Sequence, residues 1–161
     1  MPPANRGVDA RDESTAPDLG IVDALAQLSF LIQARLTQIA AEHDLSTVQI
    51  RLLGVLRDRR PGMNELANLL GLDKSSVTGL VDRAERRKLV ERRVKASDRR
   101  SYEVALTSRG RSLARGVATE FAEEVHRLVG ALDPREQERL SLAITGILLD
   151  DAAETGIELF P

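Results

Sequence analysis

Residues 73–107 restrict the possible folds more than any other stretch of the chain. They read DKSSVTGLVDRAERRKLVERRVKASDRRSYEVALT. Val77, Leu80, Val81 and Ala84 recur at i, i+3, i+4 and i+7, which predicts a helix over 74–87 with a narrow apolar stripe. Asp73 precedes it as a good N-cap, because a short carboxylate can accept from the open N–H groups of the first turn. Apolar and polar residues then alternate over 89–94 and again over 101–106, which predicts two strands. The polar, basic residues 95–100 between them read as a six-residue hairpin loop. Nine of the chain's 23 Lys and Arg lie within 83–100. A helix with a small hydroxyl-rich outer face beside a basic hairpin suits a protein that lays a helix in a DNA groove and grips the backbone alongside.

The flanking pattern is helical. Ile21, Leu25, Leu28, Ile32, Leu36 and Ile39 are spaced by threes and fours, and Val22, Phe30 and Leu31 widen the stripe. They predict a long helix from about residue 18 to 42 or 43. Ser46 and Gln49 have capping-box spacing and open a second helix, over about 46–58, that carries Ile50, Leu53, Val55 and Leu56. Arg59-Arg60-Pro61-Gly62 stops it. A short helix over 63–70 ends at Gly71. Thr107 is placed to cap another long helix through Leu113, Val117, Phe121, Val125 and Leu128. Asp133 with Pro134 at the first position opens a last one, through Leu140, Ala143, Ile144, Ile147 and Leu148 to about residue 152.

The fold class that follows is mainly α with a small β-hairpin wing: a winged helix-turn-helix with long N- and C-terminal dimerisation helices. Residues 1–17, with three Pro and few large apolar groups, are expected to form a flexible tail. Residues 18–43 form a dimerisation helix, 44–107 the winged lobe, and 108–155 the C-terminal dimerisation helices. The long helices are too widely apolar to be covered by so small a lobe, so a homodimer is expected.

Charge supports this division. The net charge of −2 conceals +9 over residues 51–115, between −4 over 1–50 and −7 over 116–161. A basic middle points to a polyanionic partner. The absence of Cys excludes a disulfide framework, a thiol nucleophile and a thiolate metal site. No Gly-rich phosphate loop, H-E-x-x-H pair or Ser-His-Asp set is present, which argues against an enzyme, and the spacing of His43 and His126 suggests no metal site. No cofactor is expected. No run of 18 apolar residues would cross a membrane, and the first residues contain no apolar secretory region, so a cytoplasmic protein is expected.

Three stretches also agree in order and spacing with a known family. They are Glu65-Leu66-Ala67 with Leu70-Gly71-Leu72, then 73–78 with Leu80-Val81-Asp82-Arg83, then Leu89-Val90-Glu91-Arg92 with Asp98-Arg99-Arg100, Val104, Leu106-Thr107 and Gly110. The chain resembles the MarR-type (multiple antibiotic resistance) transcriptional regulators. The resemblance implies that the helix over 74–87 enters a major groove of double-stranded DNA. With its apolar stripe inward, Ser75, Ser76, Thr78, Gly79 and Arg83 face out, and Lys74 stands at the helix start. For Ser75 and Ser76 the alternative is a purely capping role. Within the family, an arginine of the Asp98-Arg99-Arg100 motif reaches the minor groove, oriented by the aspartate; Arg100 is the first choice here and Arg99 the second. Arg92 is expected at phosphate, with further phosphate contacts from Thr47 and Gln49. A dimeric repressor on an inverted repeat follows, released by a small molecule such as an aromatic acid near Phe30, Arg35, Arg51 and Leu52. The chain departs from the family at Gly79, where a bulkier residue is usual, and at Lys88, where Gly is common. The rival reading is a winged-helix protein-interaction module without DNA readout.

Overall fold

The computed structural model describes residues 18–95 and 98–156, with 98–100 as backbone alone. The described elements run α1 (Gly20–Glu42), α2 (Thr47–Asp58), α3 (Met63–Leu70), α4 (Lys74–Arg86), β1 (Val90–Lys95), β2 (Asp98–Leu106), α5 (Ser108–Leu128) and α6 (Pro134–Thr155). β1 and β2 pair antiparallel as a two-stranded wing. This is the mainly α, winged architecture that the sequence predicts. The tail expected over 1–17 lies outside the described residues.

Helix starts follow their caps. Ser46 Oγ accepts from the Gln49 N–H at 3.3 Å, and the Gln49 side chain accepts from the Ser46 N–H at 2.9 Å. Asp133 accepts from the Arg135 and Glu136 N–H groups, while Glu136 accepts from the Asp133 N–H. Each arrangement satisfies N–H groups that a helix leaves open at its first turn.

Helix α4 ends in a left-handed turn. The Lys88 N–H donates to Glu85 O at 2.8 Å, and the Leu89 N–H reaches back to Ala84 O at 3.0 Å. Between them Lys88 takes φ +58°. This is the position where the resemblance implies Gly and where the sequence suggests a tightened or shifted turn. The left-handed turn is nonetheless formed, with lysine held in a conformation disfavoured by about 1–2 kcal/mol for an L side chain. Leu89 and Ala84, the two positions that commonly meet across such a turn, are both buried. Lys88→Gly is therefore expected to raise stability by roughly 0.5–1 kcal/mol, the lower figure allowing for glycine's greater freedom in the unfolded chain. Urea unfolding measures this as a shifted midpoint at unchanged slope.

The wing differs from the expectation in length. The strands pair as far as Lys95 with Asp98, with a register irregularity between Val94 and Lys95, so Lys95 and 98–100 of the expected six-residue loop belong to the strands. Alternation reveals a strand only where one face is buried. Val90 and Val104 are buried near the base, whereas the additional strand residues, Lys95, Asp98, Arg99 and Arg100, are all charged and offer no apolar alternation. The base is also pinned to the loop after α2, since the Val104 N–H donates to Pro61 O at 2.9 Å and Gly62 bridges Glu103.

One core runs through the lobe. Leu52, Leu66, Val77, Val81 and Val104 are completely buried, and Ile39 and Ala40 of α1 and Ala114 and Val117 of α5 close it from the side. The N-terminal half of α1 and all of α6 contribute no buried residue.

Candidate nucleic-acid interface

Helix α4 is built with two faces. Val77, Leu80, Val81 and Ala84 are buried, and Lys74, Ser75, Ser76, Thr78 and Arg83 are exposed, with Gly79 half-buried among them. The apolar spacing alone produces this division.

The hydroxyls of the exposed face are already committed as donors. Ser75 Oγ donates to Asp73 Oδ1 at 2.6 Å, Ser76 Oγ donates to Asp73 Oδ2 at 2.6 Å, and Thr78 Oγ1 donates to Lys74 O at 2.8 Å. Asp73 also accepts from the Ser76 N–H at 2.9 Å. The cap is thus Asp73, and the serines lean back upon it. Hydrogen bonds from the Ser75 and Ser76 hydroxyls, with the Ser76 N–H, hold the Asp73 carboxyl well below the usual carboxylate range. Each hydroxyl has one proton, so Ser75, Ser76 and Thr78 present only lone pairs outward. The side-chain donors left on the line from Lys74 to Arg83 are the two cations.

Arg92, expected at phosphate, is engaged elsewhere. Its guanidinium bonds Asp82 Oδ1 at 2.7 Å and also Glu85 Oε2, and its backbone N–H donates to Glu85 Oε1 at 3.0 Å. The arginine ties wing strand β1 to the back of α4 because two carboxylates one helical turn apart meet the planar fork of the guanidinium. Arg93 pairs with its neighbour Glu91. At the other end of α4, Arg87 donates to the carbonyls of Asp44, at 2.5 Å, and His43, at 3.3 Å. This anchors α4 to the α1–α2 turn, and His43 Nε2 in turn meets both carboxylate oxygens of Glu120 on α5, at 2.8 and 3.0 Å. Sequence reading missed Asp82, Glu85 and Arg87. The acidic pair at i and i+3 on α4 was visible, but its partner depends on the angle at which the wing returns.

Gln49 serves the α2 cap, and Thr47 beside it is half-buried. Backbone geometry places Asp98, Arg99 and Arg100 at the outer end of β2; their side chains lie outside the described residues.

The residues suggested for an acid ligand are not brought together. Leu52 is completely buried in the core, Arg51 is exposed and Phe30 is exposed on α1. Arg35 lines a cleft of about 110 Å³ between α1 and α5 with Gln38, Ile39, Glu42, Glu120, Glu123 and Glu124. Its Nε lies 3.7 Å from Glu124. Four carboxylates around one guanidinium repel an anion, and the cleft is small beside the ~300 Å³ and more of typical ligand pockets. Electrostatics and size both make this cleft a poor seat for an acid at Arg35. Among the described residues no group of three His, Asp or Glu could hold a metal ion, and no helix is long and apolar enough to cross a membrane.

Comparison with known proteins matches this lobe. The model of the MarR family matches residues 43–101, from the end of α1 to the wing. The HTH-type transcriptional regulator YfiV of Bacillus subtilis is 30% identical over 112 residues, 68% of this chain and 70% of YfiV. The transcriptional repressor MprA of Escherichia coli is 31% identical over 98 residues, 60% of this chain and 56% of MprA. Among solved structures, the Staphylococcus aureus MepR–DNA complex superimposes with a TM-score of 0.66 at 25% identity, covering 83% of this chain and 99% of MepR. A two-faced α4, a wing clamped to its back and relatives that share this lobe in sequence and in shape lead to one conclusion: the chain belongs to the MarR family of DNA-binding transcriptional regulators, and it is not an enzyme.

Proposed function

We propose that the protein is a homodimeric repressor that binds an inverted-repeat operator, with α4 of each protomer in a major groove and residues 98–100 of the wing beside it. The observation that carries the reading is the exposed face of α4. It presents three cations, Lys74, Arg83 and Arg86, and three small hydroxyl residues, while Asp73, Asp82 and Glu85 of the same segment are all occupied internally. Such a surface approaches a polyanion closely without opposing free carboxylates. The MepR–DNA complex supports the DNA partner, and the name of MprA supports repression. Dimerisation is supported by α1 and α6, which leave large apolar side chains uncovered.

The test is footprinting and salt titration of the purified protein on the region upstream of its own gene. Protection of an inverted repeat with half-sites about 10 bp apart is expected. Affinity should fall with a log–log salt slope of about −0.9 per phosphate neutralised. A flat salt response, or no protected repeat, would favour the protein-interaction reading instead. A small-molecule effector belongs to the same proposal, but an acid would have to bind away from the carboxylate-lined cleft of Arg35. Thermal shift against small aromatic acids tests it, and stabilisation should be unaltered by Arg35→Gln.

Arg92 yields a separate prediction. As the clamp between wing and α4, Arg92→Ala should weaken operator binding by about tenfold, the effect of losing a good charge-assisted contact. The salt slope should not change, because no phosphate contact is removed. A slope shallower by about 0.9 would place Arg92 at phosphate after all.

A further inference from the structure

Gly79 lies midway along the exposed face of α4. A Cβ built on it would meet a single atom, Nη1 of Arg83, at 3.2 Å. The space over the glycine is therefore occupied by the Arg83 guanidinium, folded back by one helical turn as long side chains on a helix tend to be. The carboxylates near Arg83 on its own helix do not capture it, because Asp82 and Glu85 are both bound to Arg92. Arg83 is left exposed, with its donors lying along the middle of the face instead of reaching out from its edge.

The neighbours define what this guanidinium can read. Ser75, Ser76 and Thr78 have spent their protons on Asp73 and on the Lys74 carbonyl and offer only acceptors. Such groups complement the amino groups of adenine and cytosine. To bond the O6 and N7 of guanine, which are both acceptors, they would first have to give up these internal bonds. The planar fork of an arginine matches that pair of acceptors.

We propose that Gly79 and Arg83 act as one specificity element, in which the glycine leaves the seat and the arginine fills it and reads a guanine near the centre of each half-site. This rests on the DNA-binding reading above. Lys74 stands at the start of the helix, five residues before that seat.

Binding-site selection from a DNA library with randomised half-sites tests the element, using the wild-type protein, Arg83→Lys and Gly79→Leu. Thermal unfolding confirms that each variant is folded, and Arg83→Lys alters only the tip of an exposed side chain. The wild type should select a fixed guanine in each half-site. Arg83→Lys keeps the charge but loses the fork. It should retain the salt slope while its preference for guanine at that base pair falls by about 5- to 150-fold. Gly79→Leu should lose the same preference at the same base pair although Arg83 is intact, because the seat is filled. Retention of the guanine preference by Arg83→Lys would overturn the proposal and place Arg83 at phosphate. Retention by Gly79→Leu alone would overturn the role of the glycine. If the wild type selects no sequence at all, the DNA-binding reading falls and this element with it.

Discussion

Gly110→Ala should destabilise the protein by at least about 3 kcal/mol, the upper end of what overpacking usually costs. Helix propensity alone predicts the opposite sign, since alanine is favoured over glycine by about 1 kcal/mol inside a helix. The difference lies in one contact. A Cβ at Gly110 would sit 1.9 Å from the carbonyl oxygen of Leu89 and 2.9 Å from its carbon. That carbonyl cannot move aside. The Leu89 N–H is bonded to Ala84 O, Leu89 O accepts from the Thr107 N–H at 3.1 Å, and the Thr107 hydroxyl donates to the adjoining Lys88 O at 2.7 Å. The Leu89 side chain is itself buried. The first turn of α5 is thus pressed against the root of the wing, and relief would require separating α5 from β1. For a domain of this size the predicted loss corresponds to a fall in Tm of roughly 6–12 °C. Gly54→Ala in α2 provides the control, because nothing lies within 4 Å of a Cβ there; it should stabilise by about 1 kcal/mol. If both variants shifted Tm upward, the close approach at Leu89 would be wrong.

The contrast between these two glycines shows which parts of the molecule were legible in the sequence. Helix starts were, because a cap and the N–H groups it satisfies lie within four residues; Ser46, Asp73, Thr107 and Asp133 all cap where their spacing places them. The buried stripe of α4 was legible for the same reason. Gly110 stood out only as part of a motif, since its constraint comes from a carbonyl 21 positions earlier in the chain. Arg92 looked like any other cation of the basic segment, and only the return angle of the wing brings it to Asp82 and Glu85. Lys88 was recognisable as a departure, but its outcome was not. The bonds from Lys88 and Leu89 back to α4, with Leu89 and Ala84 both buried, are enough to hold a lysine at positive φ. For the ligand, helix periodicity placed Leu52 and Arg51 side by side in sequence without showing that one is in the core and the other in solvent. The outer end of the wing reads as loop because Lys95, Asp98, Arg99 and Arg100 are all charged and carry no apolar alternation.

The largest functional loss is expected from α6. Leu142→Glu combined with Ile147→Glu should convert the protein to a monomer in sedimentation and reduce operator affinity by about 10²–10⁴, the range in which a second linked binding event contributes. Within one subunit both side chains are exposed, at 66% and 59%, so the substitutions remove no packing from the lobe and should cost the isolated subunit little. Across a dimer interface the same glutamates would be buried without partners, which opposes association strongly. Leu140, Ile144 and Ile147 share one side of α6, and Leu142 and Leu149 lie on the opposite side, all of them exposed. A helix apolar on two opposite sides needs cover from two directions. α1 has the same character, with Ile21, Val22, Leu25, Phe30 and Leu31 distributed around its N-terminal half. A second copy of the chain would supply helices of matching length and chemistry, and two-fold pairing would present both α4 helices to one side of a duplex. The variant separates this arrangement from simple surface exposure. Sedimentation as a dimer with unchanged operator affinity would show that α6 is not the interface. Monomeric protein that still binds a single half-site weakly, with the salt slope roughly halved, would show that each lobe is a complete reader and that the long helices exist to join two of them.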